Sequence, residues 1–152
     1  MKHKIRNVEP RDLDLLMALC EEHATYEKFE KTIRCDKARL AQALFGDVPK
    51  LHGWLVEVDG NVAGYCTFTF DYSTWDAGEY LHMDCLFLQP SARGYGIGRA
   101  IMKQLEKEAQ QRDCINMQWQ TPSFNERAIR FYERLGASKA EKNRFTYPIC
   151  QR

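Results

Sequence analysis

The sequence predicts a mixed α/β domain, one twisted sheet with helices on both faces, and three observations lead there. Stretches with the period-two pattern of strands outnumber stretches of helical period. The two kinds alternate only in the second half of the chain, so a mixed sheet is expected rather than an all-parallel, doubly wound one. No internal repeat, low-complexity tract or linker interrupts the 152 residues, a length that suits one domain over 1–152.

Residues 4–8 read as a short strand. Pro10 stands where a first helical turn tolerates it, and Leu13, Leu16, Met17, Cys20 and Ala24 then recur at helical spacing to about residue 25. A polar loop, 26–34, leads to a second helix with Asp36 as N-cap, Leu40, Leu44 and Phe45 as its apolar residues and Gly46 as its stop. From Leu51 the pattern turns to β: strands at 54–58 and 62–70 flank the turn Asp59-Gly60-Asn61. A further strand runs over 79–88, and Pro90 forbids its continuation as a central strand. Ile97, Ile101, Met102, Leu105 and Ala109 mark a helix to about residue 112. A strand at 115–120, a helix at 126–135 capped by Asn125 and a last strand at 144–149 complete the chain.

Composition narrows the function. With 44% hydrophobic and 28% charged residues the chain is an ordinary globular protein. No stretch approaches the roughly 20 apolar residues of a membrane span, so no membrane partner is expected. Met1-Lys2-His3-Lys4-Ile5-Arg6 is not followed by an apolar signal core, and a cytoplasmic location is expected. Basic and acidic residues number 22 and 21, so the total charge of +1 offers no general attraction for nucleic acid. Cys20, Cys35, Cys66, Cys85, Cys114 and Cys150 include no C-x-x-C pair, and the four histidines stand apart at non-ligand spacing. The cysteines are expected reduced and mostly buried, and no metal site is expected.

Arg93-Gly94-Tyr95-Gly96-Ile97-Gly98 follows a strand and opens a helix, where free backbone N–H groups and the positive dipole end favour an anion. Alternate glycines let the backbone take left-handed angles and an anionic group come close, and Arg93 offers a charge-assisted bond. Arg99 and Ala100 replace the Lys-Ser or Lys-Thr of a Walker loop, and the G-x-G-x-x-G dinucleotide spacing is absent. The pattern present, R-x-x-G-x-G at Arg93, Gly96 and Gly98, resembles the pyrophosphate motif of the GNAT acetyltransferases. A second motif, N-x-x-A-x-x-F-Y-x-x-x-G at Asn125, Ala128, Phe131, Tyr132 and Gly136, resembles that family's cofactor-binding helix.

The resemblance covers essentially the whole chain. It implies the GNAT fold, a mostly antiparallel sheet whose fourth and fifth strands splay apart to admit the pantetheine arm of acetyl-CoA. The fourth strand would be 79–88. It further implies that Leu86, Phe87 and Leu88 line that arm, the Leu86 N–H serving as oxyanion donor. Arg93, Gly94, Tyr95, Gly96, Ile97, Gly98 and Arg99 would hold the pyrophosphate, with Asn125, Ala128 and Tyr132 from the later helix.

Moving an acetyl group from a thioester to an amine requires a deprotonated amine, a stabilised oxyanion and a proton for the departing thiolate. A lysine-like ammonium titrates near pH ~10, so a base is needed at neutral pH. The strand period places His82, Asp84, Leu86 and Leu88 on one face and Met83, Cys85 and Phe87 on the other. Asp84 matches the position where similar polyamine acetyltransferases carry a glutamate and is the candidate base or ammonium holder. Tyr132 matches the family's thiolate-protonating tyrosine; the alternative is packing with Ile129 and Leu135.

Tyr26-Glu27, the loop Tyr72-Ser73-Thr74-Trp75 and the glycine segment together resemble the spermidine/spermine group, which includes enzymes acting on thialysine-like amines. Tyr26, Glu27, Trp75 and Asp84 would then meet substrate, with Gln118, Trp119 and Gln120 lining the site. Glu21, Glu22 and Glu30 add acidity near the first loop, diluted by Lys28 and Lys31. The implied acceptor is a small primary amine or polyamine. An amino acid, an aminoglycoside, or a protein N-terminus or lysine stays open, as does a non-catalytic acyl-CoA-binding module. The resemblance also implies a homodimer, to which exposed Tyr147 and Trp75 would contribute.

Overall fold

The computed structural model describes residues 2–29 and 33–149. Five strands lie side by side in chain order: β1 (His3–Asn7), β2 (His52–Val58), β3 (Asn61–Ser73), β4 (Gly78–Leu88) and β5 (Met117–Trp119). The first four are antiparallel, and β5 joins β4 in parallel. The expected class, a mixed and mostly antiparallel sheet, is what forms. The chain divides into two compact units, 1–122 and 123–152.

Helices cover both faces of the sheet. On one face α1 (Leu13–Tyr26) and α2 (Lys37–Phe45) bring Leu13, Leu16, Leu19 and Leu44 against Leu55, Tyr65 and Phe87 of three successive strands. Across the sheet α3 (Ile97–Gln111) buries Ile97, Ile101, Met102, Leu105 and Ala109, the helical stripe read from the sequence. Just beyond it, Arg112 lies 4.1 Å from the Phe70 ring centroid and bonds Glu79 at 2.6 Å, pinning the helix end to β4. Asp36 caps α2 by accepting the Arg39 N–H at 3.1 Å, as expected. Each fully buried aliphatic side chain of these layers contributes about 1.5–3 kcal/mol.

The entry to α1 is held by a buried charge cluster. A 3₁₀ turn, Pro10–Asp12, precedes the helix, and Asp12 accepts the Glu9 N–H at 2.7 Å and two bonds from Arg6 at 2.8 and 3.0 Å. Arg6 also bonds Glu57 at 3.0 Å, so one guanidinium ties β1, β2 and the helix start together. The Arg6 hydrogen bonds hold the Asp12 carboxyl below its ordinary 3.8.

β4 departs from its expected alternation. Thr67 faces Cys85 while Phe68 faces Met83, which leaves Asp84 as an extra, unopposed residue. This β-bulge flips the pleat, so Cys85 and Phe87 belong to the α1 face whereas buried Met83 and Leu81 share the opposite face with Phe68 and Phe70. The single-face grouping of His82 with Leu86 and Leu88, and of Met83 with Cys85 and Phe87, is thereby corrected.

Two other expectations change. β5 is confined to Met117–Trp119 instead of 115–120. Residues 144–149 form no strand, and Phe145, Tyr147 and Ile149 are 92%, 88% and 79% exposed. Alternating β-prone residues become a strand only beside a neighbour that takes their backbone bonds, and the described residues supply none here. Of the cysteines, Cys66 is buried and Cys20, Cys35, Cys85 and Cys114 are half-buried free thiols, so burial is less general than expected. Cys150 lies outside the described residues.

Because the folded Asp12 carboxyl titrates below its unfolded value, its contribution is present above that value and is lost as pH falls through the folded one. Asp12→Asn should therefore lower stability by about 1.5–3 kcal/mol at neutral pH. Denaturant titrations should show the gap from wild type shrinking as pH falls below the ordinary carboxylate range.

Candidate active site

The glycine segment expected to cradle an anion lies where β4 hands over to α3. After Leu88 a 3₁₀ turn, Pro90–Ala92, buries Ala92, and Gly94 and Gly96 then take φ of +86° and +79°. Those left-handed angles fold the loop back so that Gly96 caps α3. A Cβ at either glycine would meet nothing within 4 Å, so the glycines are required by backbone angle, and the space before them is open. The first helical bond runs from the Ala100 N–H to the Gly96 carbonyl at 3.1 Å. The N–H groups of Ile97, Gly98 and Arg99 consequently lack intrahelical acceptors and stand at the positive end of a four-turn helix. Ile97 anchors the turn by its buried side chain, while Tyr95 and Arg99 are exposed.

Arg93 braces the loop through its Nε and the face of its guanidinium. Its Nε donates to the Leu88 carbonyl at 2.8 Å, and its guanidinium stacks 4.3 Å from the Tyr26 ring centroid and 5.7 Å from that of Phe87. It buttresses the loop against the end of α1, a role that spacing alone did not suggest. Tyr26, Phe87 and Arg93 are thus brought together.

The β4 edge beside this cradle is open. The β5 ladder ends at Met83–Trp119, so Asp84 to Leu88 have no partner on that strand. The Gln89 N–H donates to Ala63 on the β3 side at 2.8 Å, and alternation turns the backbone groups of Leu86 and Leu88 the other way. The Leu86 N–H therefore points out of the sheet edge at the point where the strands part, as an oxyanion donor must.

Around that point stand the residues expected to meet the acceptor. Asp84 is exposed on its bulge, and the Cys85 thiol donates to its Oδ2 at 3.7 Å. Glu27 caps the C-terminus of α1 and accepts from His23 Nε2 at 2.8 Å. Glu22 is held by the Gln89 amide at 3.2 Å, and Glu30 and Lys31 lie outside the described residues. Trp75, at the tip of the β3–β4 loop, is 97% exposed. Gln118 on β5 bonds Asn116 at 3.1 Å; Trp119 ends that strand, and Gln120 follows it, exposed.

His23 and Tyr65 escaped the sequence reading. His23 Nδ1 lies 2.7 Å from the Tyr65 hydroxyl, with Cys20 and Cys85 also beside that oxygen. Burial drives the Tyr65 hydroxyl far above its ordinary value, so it stays protonated. The His23–Glu27 pair was visible as an i,i+4 spacing on a helix, but Tyr65 is 42 residues from His23 and carried no local signal.

In the unit 123–152, Asn125 caps α4 (Glu126–Arg134) by accepting the Ala128 N–H at 3.3 Å. The bond uses a backbone N–H, so it accounts for the asparagine of the motif and not for its alanine. Tyr132 sits on the last turn with Phe131 edge-on at 5.2 Å, and its carbonyl accepts the Ala137 N–H at 3.1 Å to close the helix. Among the described residues no group of three or more His, Cys, Asp or Glu is placed to hold a metal, and no helix is long and apolar enough to cross a membrane.

A mostly antiparallel sheet whose fourth strand outruns its parallel neighbour and ends in a glycine-built helix start defines the fold class. Residues 16–137 match the acetyltransferase (GNAT) family, and the chain belongs to it as an N-acetyltransferase. It is 30% identical over 141 residues to the thialysine N-epsilon-acetyltransferase of Bos taurus, covering 88% of this chain and 82% of that one. The Caenorhabditis elegans protein of the same name is 29% identical over 132 residues, 86% of this chain and 79% of its own. Among solved structures, an integron cassette protein from V. cholerae superposes with a TM-score of 0.74 at 27% identity, covering 97% of this chain and 93% of that one.

Since Gly96 holds φ +79°, Gly96→Ala should cost about 1–2 kcal/mol of stability without any steric clash. Equilibrium denaturation of the variant reads this directly.

Proposed function

We propose that the protein transfers the acetyl group of acetyl-CoA directly to the primary amine of a small cationic acceptor of the thialysine or polyamine kind. The observation that carries the donor half is the open β4 edge leading into the free N–H groups at the start of α3. The coenzyme supplies an activated thioester. Gly94 to Arg99 receive its pyrophosphate, the edge at Leu86, Phe87 and Leu88 takes the pantetheine arm, and Asn125 and Ala128 are further candidates to hold the coenzyme. The Leu86 N–H stabilises the charge that develops on the carbonyl oxygen.

The acceptor half rests on two carboxylates, Glu27 and Asp84, and on the similarity to enzymes named for thialysine. Glu27 attracts the ammonium, and Asp84, free of any cationic partner among the described hydrogen bonds and ion pairs, takes its proton directly or through water. Tyr26, Trp75, Gln118, Trp119 and Gln120 shape the acceptor's path, and Tyr132 returns a proton to the departing thiolate. The proposal extends to a cytoplasmic homodimer, for which exposed Trp75 and Tyr147 are the interface candidates.

Release of free thiol from acetyl-CoA with thialysine, spermidine and lysine tests the assignment. Thialysine or spermidine should be turned over, and Tyr132→Phe should lower kcat about 10²-fold or more. Binding of coenzyme without thiol release on any amine defeats the proposal in favour of a binding module. Glu27→Gln should raise KM for the amine about tenfold and leave KM for acetyl-CoA unchanged, as loss of one charged contact requires; equal changes in both remove Glu27 from the acceptor site.

A further inference from the structure

His23 stands between the acceptor carboxylate and the core, and the reaction as described does not use it. Both ring nitrogens are engaged, Nε2 with Glu27 Oε2 at 2.8 Å and Nδ1 with the Tyr65 hydroxyl at 2.7 Å. The ring stacks on Phe87 at 5.2 Å with a 23° interplanar angle and meets Tyr65 edge-on at 5.6 Å. Its side chain is 12% exposed, against 34% for Glu27.

An i,i+4 pair on a helix surface is ordinarily loose, because both partners keep their rotamer freedom. Here the histidine is fixed on three sides, and its far nitrogen is bonded to a side chain that is 1% exposed in the middle of the sheet. With Glu27 accepting only, Nε2 carries its hydrogen toward the carboxylate, and Nδ1 shares one hydrogen with the Tyr65 hydroxyl. Glu27 Oε1 makes no hydrogen bond among the described residues and remains for a cation. The Cys85 thiol, which donates to Asp84, lies beside the same Tyr65 oxygen.

We propose that His23, anchored by Tyr65, is a positioning residue that holds the Glu27 carboxylate in place for the cationic acceptor. The role rests on the reading that Glu27 receives the acceptor's ammonium. A glutamate at a helix C-terminus faces the negative dipole end and, unheld, spreads over many rotamers. Fixing it in advance removes that ordering from the binding step and sharpens selection for an ammonium at one distance from the thioester.

Steady-state kinetics with thialysine and acetyl-CoA on four variants test the role. His23→Phe keeps the ring stacked on Phe87 but removes both hydrogen bonds. It should raise the thialysine KM about tenfold while the acetyl-CoA KM stays within about twofold. His23→Gln, whose amide still reaches toward Glu27, should recover most of that loss. His23→Phe/Tyr65→Phe removes the buried hydroxyl as well, so it should melt near wild type and still show the raised thialysine KM. A thialysine KM raised by Glu27→Gln but unchanged by His23→Phe overturns the positioning role and leaves the acceptor reading standing. Equal increases in both KM values in His23→Phe also overturn it, since they report general damage. A thialysine KM unaffected by Glu27→Gln removes the acceptor reading, and this role with it.

Discussion

The fourth strand loses its neighbour after Met83, and the site follows from that single constraint. Backbone groups along an unpaired edge must find partners, and here they find different ones. The Leu88 carbonyl takes Arg93, which fixes the glycine loop; the Leu86 N–H, on the same side two residues earlier, is left facing the gap. Opening the edge and building the glycine turn are therefore one structural event, completed between Met83 and Gly98 by the bulge, the 3₁₀ turn and two left-handed glycines.

The bulge has a second effect. By inserting Asp84 without an opposite residue, it returns Cys85 and Phe87 to the face covered by α1, where Phe87 stacks on His23 and supports Tyr26 beneath Arg93. The glycine loop and the C-terminal end of α1 consequently share one aromatic support. A strand of unbroken alternation would have placed the carboxylate inside the ladder and the phenyl ring away from the helix.

Much of the fold was legible because its signals are local. Apolar spacing gave α3 and the hairpin, side-chain chemistry gave the Asp36 and Asn125 caps, and glycine spacing gave the left-handed turn that opens α3. Residues 144–149 show the limit of such signals: their alternation is genuine, but strand formation depends on a neighbour's backbone, which no side chain encodes.

The sequence by itself determined the family, the order of elements and the glycine loop, since each rests on residues within a few positions of one another. Tertiary structure alone decided the register of β3 against β4, and with it the bulge at Asp84 and the face of every side chain along that strand. It also decided that Arg93 serves a carbonyl and an aromatic ring, and that Tyr65 meets His23 across 42 positions. The reason is physical: strand register and long-range hydrogen bonds are set by how whole layers pack, and a period-two pattern is equally satisfied by registers that differ by one inserted residue until the opposing faces are brought together.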